Sequence, residues 1–301
     1  MFERILAETP RRPQKIAVAA AQDKPVLEAV FRAKAQGSAQ PVLVGDEGKI
    51  RSYAEELGID LQDTDIVHEP NAMKAALYAS NLVREGQADL LMKGMLHTAE
   101  ILKAVLDKEK GLRVGSTISH IAIVEALSLG RFLFITDAGM NIAPDIKQKA
   151  DIIRNAVTVA KALGVEYPKV AAISALEMVN PDMPSTMDAA VLTQMNRRGQ
   201  IKECLVDGPL ALDNAVNLEK AKHKGVQGSE VAGQADILLV PNIETGNAIY
   251  KATTCLSSFR SAGLVFGAKV PIILPSRADT PESKYLSIIC ACRVAAFVNQ
   301  Q

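Results

Sequence analysis

The stretch "VPIILPSRADTPESKYLSI" (residues 270–288) decides how the fold is read. It opens as an apolar run, breaks at Pro275, delivers the polar pair Ser276-Arg277, and reopens as a helix with Thr280 as N-cap and Pro281 at the first helical position. A strand that feeds straight into a capped helix is the repeating unit of an α/β fold, where ligands collect beyond the carboxyl ends of strands. The free N–H groups at such a helix start, next to the Arg277 guanidinium, suit an anion, and phosphate is the natural candidate because a guanidinium matches its oxygens two at a time. The same residues also suit a plain turn in which Arg277 pairs with Asp279.

The same rhythm extends outward along the chain. Strand candidates are "KIAVAA" (15–20), "PVLVG" (41–45), "DIVH" (65–68), "ADLLMKG" (88–94), "ISHIAIV" (118–124), "RFLFITD" (131–137), "KVAAIS" (169–174), "ECLVDG" (203–208) and "ADILLVP" (235–241), with "VPIILP" (270–275) last. Between them run helical patterns with caps at Asp23, Asn71 and Thr280. The expectation is an α/β protein with largely parallel sheets and, at 301 residues, about two domains. "DAGMNIAPD" (137–145) and Pro275 mark the expected crossings, so that residues 1–138 with 276–301 form a discontinuous first domain and residues 139–275 a second.

Composition narrows the partners. Lys plus Arg and Asp plus Glu both number 34, which removes any electrostatic reason to expect nucleic acid or an anionic membrane, so an anion site has to be local. The N-terminal "MFERILAETPRRPQK" has no signal-type apolar core, and "IAIVEALSLGRFLFI" is interrupted by Glu125 and Arg131. Cys204, Cys255, Cys290 and Cys292 have neither zinc spacing nor disulfide density. A cytoplasmic protein without a metal is expected.

Two further strand ends carry unusual polar content. One is Lys93-Gly94-Met95-Leu96-His97-Thr98; the other is Asn242-Ile243-Glu244-Thr245-Gly246-Asn247, followed by Tyr250-Lys251. Each also has an ordinary reading: Thr245-Gly246-Asn247 as a turn and helix start, His97 as a helix-start or core histidine, Lys93 as a strand-end lysine, and Ser119-His120 as a hydrogen-bonded core pair. The chain contains no GxxxxGK[ST], strand-borne GxGxxG, HExxH or GxSxG, which weighs against nucleotide hydrolysis, Rossmann cofactors, zinc proteolysis and hydrolase chemistry.

Taken in order, "DLLMKGMLHTAEILKAVLDKEKGL", "ISHIAIVE", "ITDAGMNIAPDIKQKADIIRNAV", "DGPLALDNAV", "ADILLVPNIETGNAIYKA" and "KVPIILPSRADTPESK" resemble the blocks of the phosphate acetyl/butyryltransferase family, the phosphotransacylases. The pairing of "TGN..YK" with a later strand-borne "SR" carries most of the likeness, and the compact length and "SRAD" form resemble the butyryl branch. The resemblance implies two α/β/α domains like those of isocitrate and isopropylmalate dehydrogenases, an active site in the interdomain cleft, and a homodimer or higher homo-oligomer. It implies reversible conversion of acyl-CoA and orthophosphate to acyl phosphate and CoA, with CoA as substrate and no bound cofactor.

Residue by residue, the resemblance makes Ser276 the stabiliser of a tetrahedral oxyanion and Arg277 the phosphate holder. Asn242, Thr245, Gly246 and Asn247 match the family's cleft-facing loop, and Lys93, His97, Ser119 and His120 join them as cleft or CoA contacts. The chain departs from the acetyl branch where a thiol-proton acceptor is expected, because the position seven after Ser276 is Ser283, leaving Asp279 and Glu282 as alternatives. Two arginines of that branch also lack direct counterparts, since Ala252-Thr253-Thr254-Cys255 follows "YK" and "GSTISH" stands in the other place. Lys93, Lys251 and Arg113 are the candidate replacements. A non-catalytic acyl-CoA or acyl-phosphate binding protein and a metal-dependent dehydrogenase of the related fold are the competing readings.

Overall fold

The computed structural model describes residues 1–7, 12–107, 109–257, 259–276 and 279–300, which form two compact units. The first comprises Phe2–Ser116 and Ala262–Gln301; the second comprises Thr117–Ser261 together with Met1. In chain order the first unit supplies α1 (Phe2–Ala7), β1 (Gln14–Ala19), α2 (Lys24–Ala35), β2 (Ala39–Gly45), α3 (Glu47–Glu56), β3 (Asp65–His68), α4 (Ala72–Arg84), β4 (Leu90–Lys93) and α5 (Thr98–Val105). The second supplies β5 (Ser119–Ala126), β6 (Arg131–Thr136), α6 (Ile146–Ala162), β7 (Lys169–Ile173), α7 (Pro184–Arg197), β8 (Leu205–Leu210), α8 (Leu212–Val216), α9 (Leu218–His223), β9 (Ile237–Leu239) and α10 (Ile243–Cys255). The chain then completes the first unit with β10 (Ser261–Phe266), β11 (Ile272–Ile273) and α11 (Pro281–Val298).

Strand order in the first unit is β3-β2-β1-β4-β11-β10, parallel except for the antiparallel β10–β11 pair. In the second unit it is β5-β6-β9-β7-β8, parallel except for the β5–β6 hairpin. Parallel strands covered on both faces need unbroken apolar runs rather than alternation, and Ala17, Val18, Leu43, Leu91 and Ile272 are all fully buried. The expected caps are in place: Asp23 accepts from the N–H of Val26 at 3.1 Å, Asn71 from that of Lys74 at 3.0 Å, and Thr280 from that of Ser283 at 3.1 Å.

Two features differ from the sequence expectation. The unit boundaries fall at 116/117 and 261/262 rather than 138/139 and 275/276, and strand pairing explains both shifts. β5 is hairpinned to β6 and stays with it, while β10 pairs with β11, which itself pairs with β4. β10 was also absent from the expected strands. Gly263 in its middle and Gly267 just beyond it, at φ +98°, give "SAGLVFG" the composition of a loop, and inter-strand pairing rather than local propensity makes it a strand.

Among the described residues, no helix is long and apolar enough to cross a membrane.

Candidate functional site

Register brings three strand ends of the first unit to one edge. Ala19 of β1 lies opposite Lys93 of β4, and Met92 lies opposite Ile273 of β11, so the loops that follow emerge side by side. Gly94 makes the close approach possible: its N–H donates to Ala19 O at 2.8 Å, Met95 N–H donates to Ala20 O at 2.7 Å, and a Cβ at Gly94 would sit 2.3 Å from Ala20 O. At this edge lies a cavity of about 420 Å³. Its walls combine apolar groups of Pro25, Val26, Met95 and Pro275 with the polar atoms of Lys93, Ser276 and Lys284, and the N-terminus of α2 opens onto it.

Among the described residues, the cavity lining carries three cations, Lys24, Lys93 and Lys284, against one acid, Asp23, whose carboxylate caps α2. Lys93 is 4% exposed, and its ammonium reaches the carbonyls of Leu96 at 3.3 Å and Gly94 at 3.5 Å. Lys284 is equally buried, and its ammonium donates to the carbonyl of Asp279. Ser276 is exposed at the strand exit, where its N–H donates to Asp279 Oδ2 at 2.7 Å and its carbonyl accepts from Asp279 N at 3.2 Å. Asp279 therefore holds the backbone of Ser276 through both its carboxylate and its N–H. Arg277, the expected phosphate holder, lies outside the described residues.

The remaining first-unit candidates stand apart from this cluster. The carboxylate of Glu282 pairs with Arg32, whose guanidinium stacks 3.8 Å from the Tyr285 ring, so the contact joins α2 to α11. His97 is exposed at the start of α5, and its backbone N–H is taken by Glu100 Oε2 at 2.7 Å. Arg113 is exposed, in an isolated bridge with Ala268.

The second unit has its own strand-end loops. Asn242 caps α10, its Oδ1 accepting from the Thr245 N–H at 3.0 Å and the Thr245 hydroxyl at 2.7 Å. Gly246 is required by packing, since a Cβ there would meet Asp137 O at 2.5 Å. The Asn247 amide reaches Ala138 O at 3.4 Å. Asp137, which the sequence reading passed over, is 2% exposed and accepts from the N–H groups of Gly139, Met140 and Asn141 at 2.8, 2.9 and 3.1 Å and from the Asn141 amide at 2.6 Å. Ser119 is fully enclosed and accepts from the Asn155 amide at 2.9 Å, a core hydrogen bond rather than a surface contact. The His120 ring tilts against Tyr250 with centroids 6.2 Å apart, and exposed Lys251 lies 5.5 Å from the same Tyr250 ring.

The structure thus gathers Lys93, Ser276 and Asp279, and adds Lys284, which the sequence reading did not assign. A signal for Lys284 was present: it is the fourth residue of α11, close to the end of a helix where the dipole disfavours cations. Among the described residues, no group of three or more His, Cys, Asp or Glu is placed to hold a metal ion.

Residues 1–75 and 63–292 match the family described as "Phosphate acetyl/butaryl transferase". A phosphate butyryltransferase from Clostridium acetobutylicum is 53% identical over 97% of each chain, and a phosphate acetyltransferase from Thermotoga maritima is 47% identical over 96% of this chain and 98% of its own. A branched-chain phosphotransacylase from Enterococcus faecalis V583, of known crystal structure, is 34% identical, covers 94% of this chain and 99% of its own, and superposes with a TM-score of 0.82. With the match spanning nearly the whole chain, including every strand end that builds the cavity, the protein belongs to the phosphate acetyl/butyryl transferase family.

Proposed function

We propose that the protein reversibly transfers a short acyl group, acetyl to butyryl, between CoA and orthophosphate. The observation that carries this reading is the 53% identity to a phosphate butyryltransferase over 97% of both chains. In the forward direction a phosphate oxygen forms the new bond to the thioester carbonyl carbon, the C–S bond breaks, and sulfur leaves with the electron pair and takes a proton. Charge builds on the carbonyl oxygen and is already present on phosphate, so fixed donors and cations carry the catalysis. Ser276 meets the oxyanion, and Arg277 holds the phosphate.

Asp279 is the better placed of the two candidate thiol-proton acceptors, because its carboxylate is already against the Ser276 backbone whereas that of Glu282 is engaged by Arg32. The apolar wall of Pro25, Val26, Met95 and Pro275 suits an acyl chain or the pantetheine arm. In the second unit, Asn242, Thr245, Gly246, Asn247, His120 and Lys251 are the candidate substrate contacts; in the first, His97 and Arg113 complete the set. The protein works in the cytoplasm as a homodimer on this reading. Support for self-association comes from exposed Met187 and Val191, one turn apart on α7, and from Met178 and Val179, 75% and 52% exposed in the loop before it.

The test uses purified protein with acetyl-, propionyl- and butyryl-CoA in the presence of a chelator, following free thiol. Release that requires orthophosphate and survives the chelator is expected. A protein that binds acyl-CoA but releases no thiol with any of the three would be the non-catalytic binder instead.

A further inference from the structure

Lys284 combines three features that rarely occur together. It is 4% exposed, it sits in the first turns of α11 where the helix dipole is positive, and among the described residues its ammonium forms no ion pair. A buried charge is expensive unless paired, and the chain shows the ordinary solution elsewhere: Lys149, 5% exposed, pairs with Asp188 at 2.5 Å. Lys284 instead donates only to a backbone carbonyl, that of Asp279. Asp279 in turn receives the N–H of Ser276 on its carboxylate and donates its own N–H to the carbonyl of Ser276. The ammonium thus holds the backbone of the residue that in turn holds the backbone of Ser276. Lys284, Ser276 and buried Lys93 line the same cavity, together with Asp23, which caps α2, and Lys24, which pairs with Glu56, so its two buried cations among the described residues come from α11 and β4.

We propose that Lys284 is a positioning residue for acyl transfer. Resting on the transacylase reading above, it holds Asp279, and through it the Ser276 backbone, by way of the Asp279 carbonyl and supplies, with Lys93, the positive field that makes this cavity the phosphate end of the site. The local cost of a cation at a helix start is tolerated because a dianionic substrate completes the charge balance. The apolar wall then receives the uncharged part of the acyl donor.

The experiment measures kcat and the KM values for orthophosphate and butyryl-CoA in wild-type protein and in Lys284→Met, Lys284→Gln and Lys284→Arg, together with the thermal shift induced by inorganic phosphate. Lys284→Met is expected to lower kcat about 30-fold and raise the phosphate KM about tenfold, with the butyryl-CoA KM within about twofold of wild type. Phosphate should stabilise wild type and Lys284→Arg but not Lys284→Met. Lys284→Arg, which keeps the charge and a donor, should recover most of the phosphate affinity, and Lys284→Gln should not. A Lys284→Met protein with wild-type phosphate KM and kcat overturns the proposal, as does a loss that scales only with the folded fraction. If Lys284→Met does not fold, equal phosphate KM values in the Arg and Gln variants overturn it. Wild-type protein that releases no thiol removes the transacylase reading itself, whereas a phosphate-dependent wild type with indifferent Lys284 variants removes only this role.

Discussion

The two units use the same local grammar, a parallel strand ending in a polar loop and a capped helix, but they differ in how buried charge is placed. In the second unit the groups satisfy one another: Asp137 takes four donors from its own loop, Asn242 takes both donors of Thr245, and buried Lys149 has Asp188. In the first unit Lys93 and Lys284 are buried beside a cavity that exposed Ser276 also lines, and the ammonium of each reaches backbone carbonyls. A loop whose polar groups satisfy one another holds its shape without a ligand. One that buries positive charge beside a cavity is prepared for an anion, and this contrast distinguishes two edges that look alike at the level of topology.

Replacing Arg277 with Ala breaks the comparison at its strongest point and should lower turnover by about 10²-fold or more, read as phosphate-dependent thiol release. An effect confined to melting temperature would return Arg277 to an ordinary turn. In the second unit the largest expected effect is on stability instead: Asp137→Ala leaves buried donors without their acceptor and should cost about 2–3 kcal/mol in urea unfolding. Gly94→Ala and Gly246→Ala press a methyl against backbone oxygens at 2.3 and 2.5 Å, and each should cost about 1–3 kcal/mol. Of the two, only Gly94→Ala should also raise the phosphate KM. Thr280→Ala and Asn71→Ala each remove a helix cap worth about 1 kcal/mol, with a kinetic consequence expected for Thr280 alone.

The smallest effect concerns the thiols. Burial pushes the Cys204 and Cys290 thiols up to about 12 and raises that of Cys292 as well, whereas Cys255 is exposed. Below that range the buried thiols stay protonated and unreactive. A thiol reagent should therefore label one cysteine rapidly in the native protein and four after unfolding.

The α/β class was legible because buried parallel strands demand apolar runs, and "KIAVAA", "DIVH" and "RFLFIT" correspond to β1, β3 and β6 within a residue or so. Caps at Asp23, Asn71 and Thr280 were legible because their chemistry is local. β10 was not, because a glycine-bearing segment becomes a strand through inter-strand pairing that local sequence does not reveal. Within the site, Ser276 and Lys93 stood out as polar residues ending apolar strands. The engagement of Glu282 by Arg32 and the reach of Lys284 to Asp279 were hidden, since the first joins residues 250 positions apart and the second depends on which way the helix turns.

The central claim, that the first unit's strand-end edge holds the phosphate, is tested most directly by amide hydrogen exchange of the wild-type protein with and without orthophosphate plus CoA. The account predicts slowed exchange at Gly94–His97 and Asp279–Lys284. Protection absent from both segments and appearing only at other loops would contradict it.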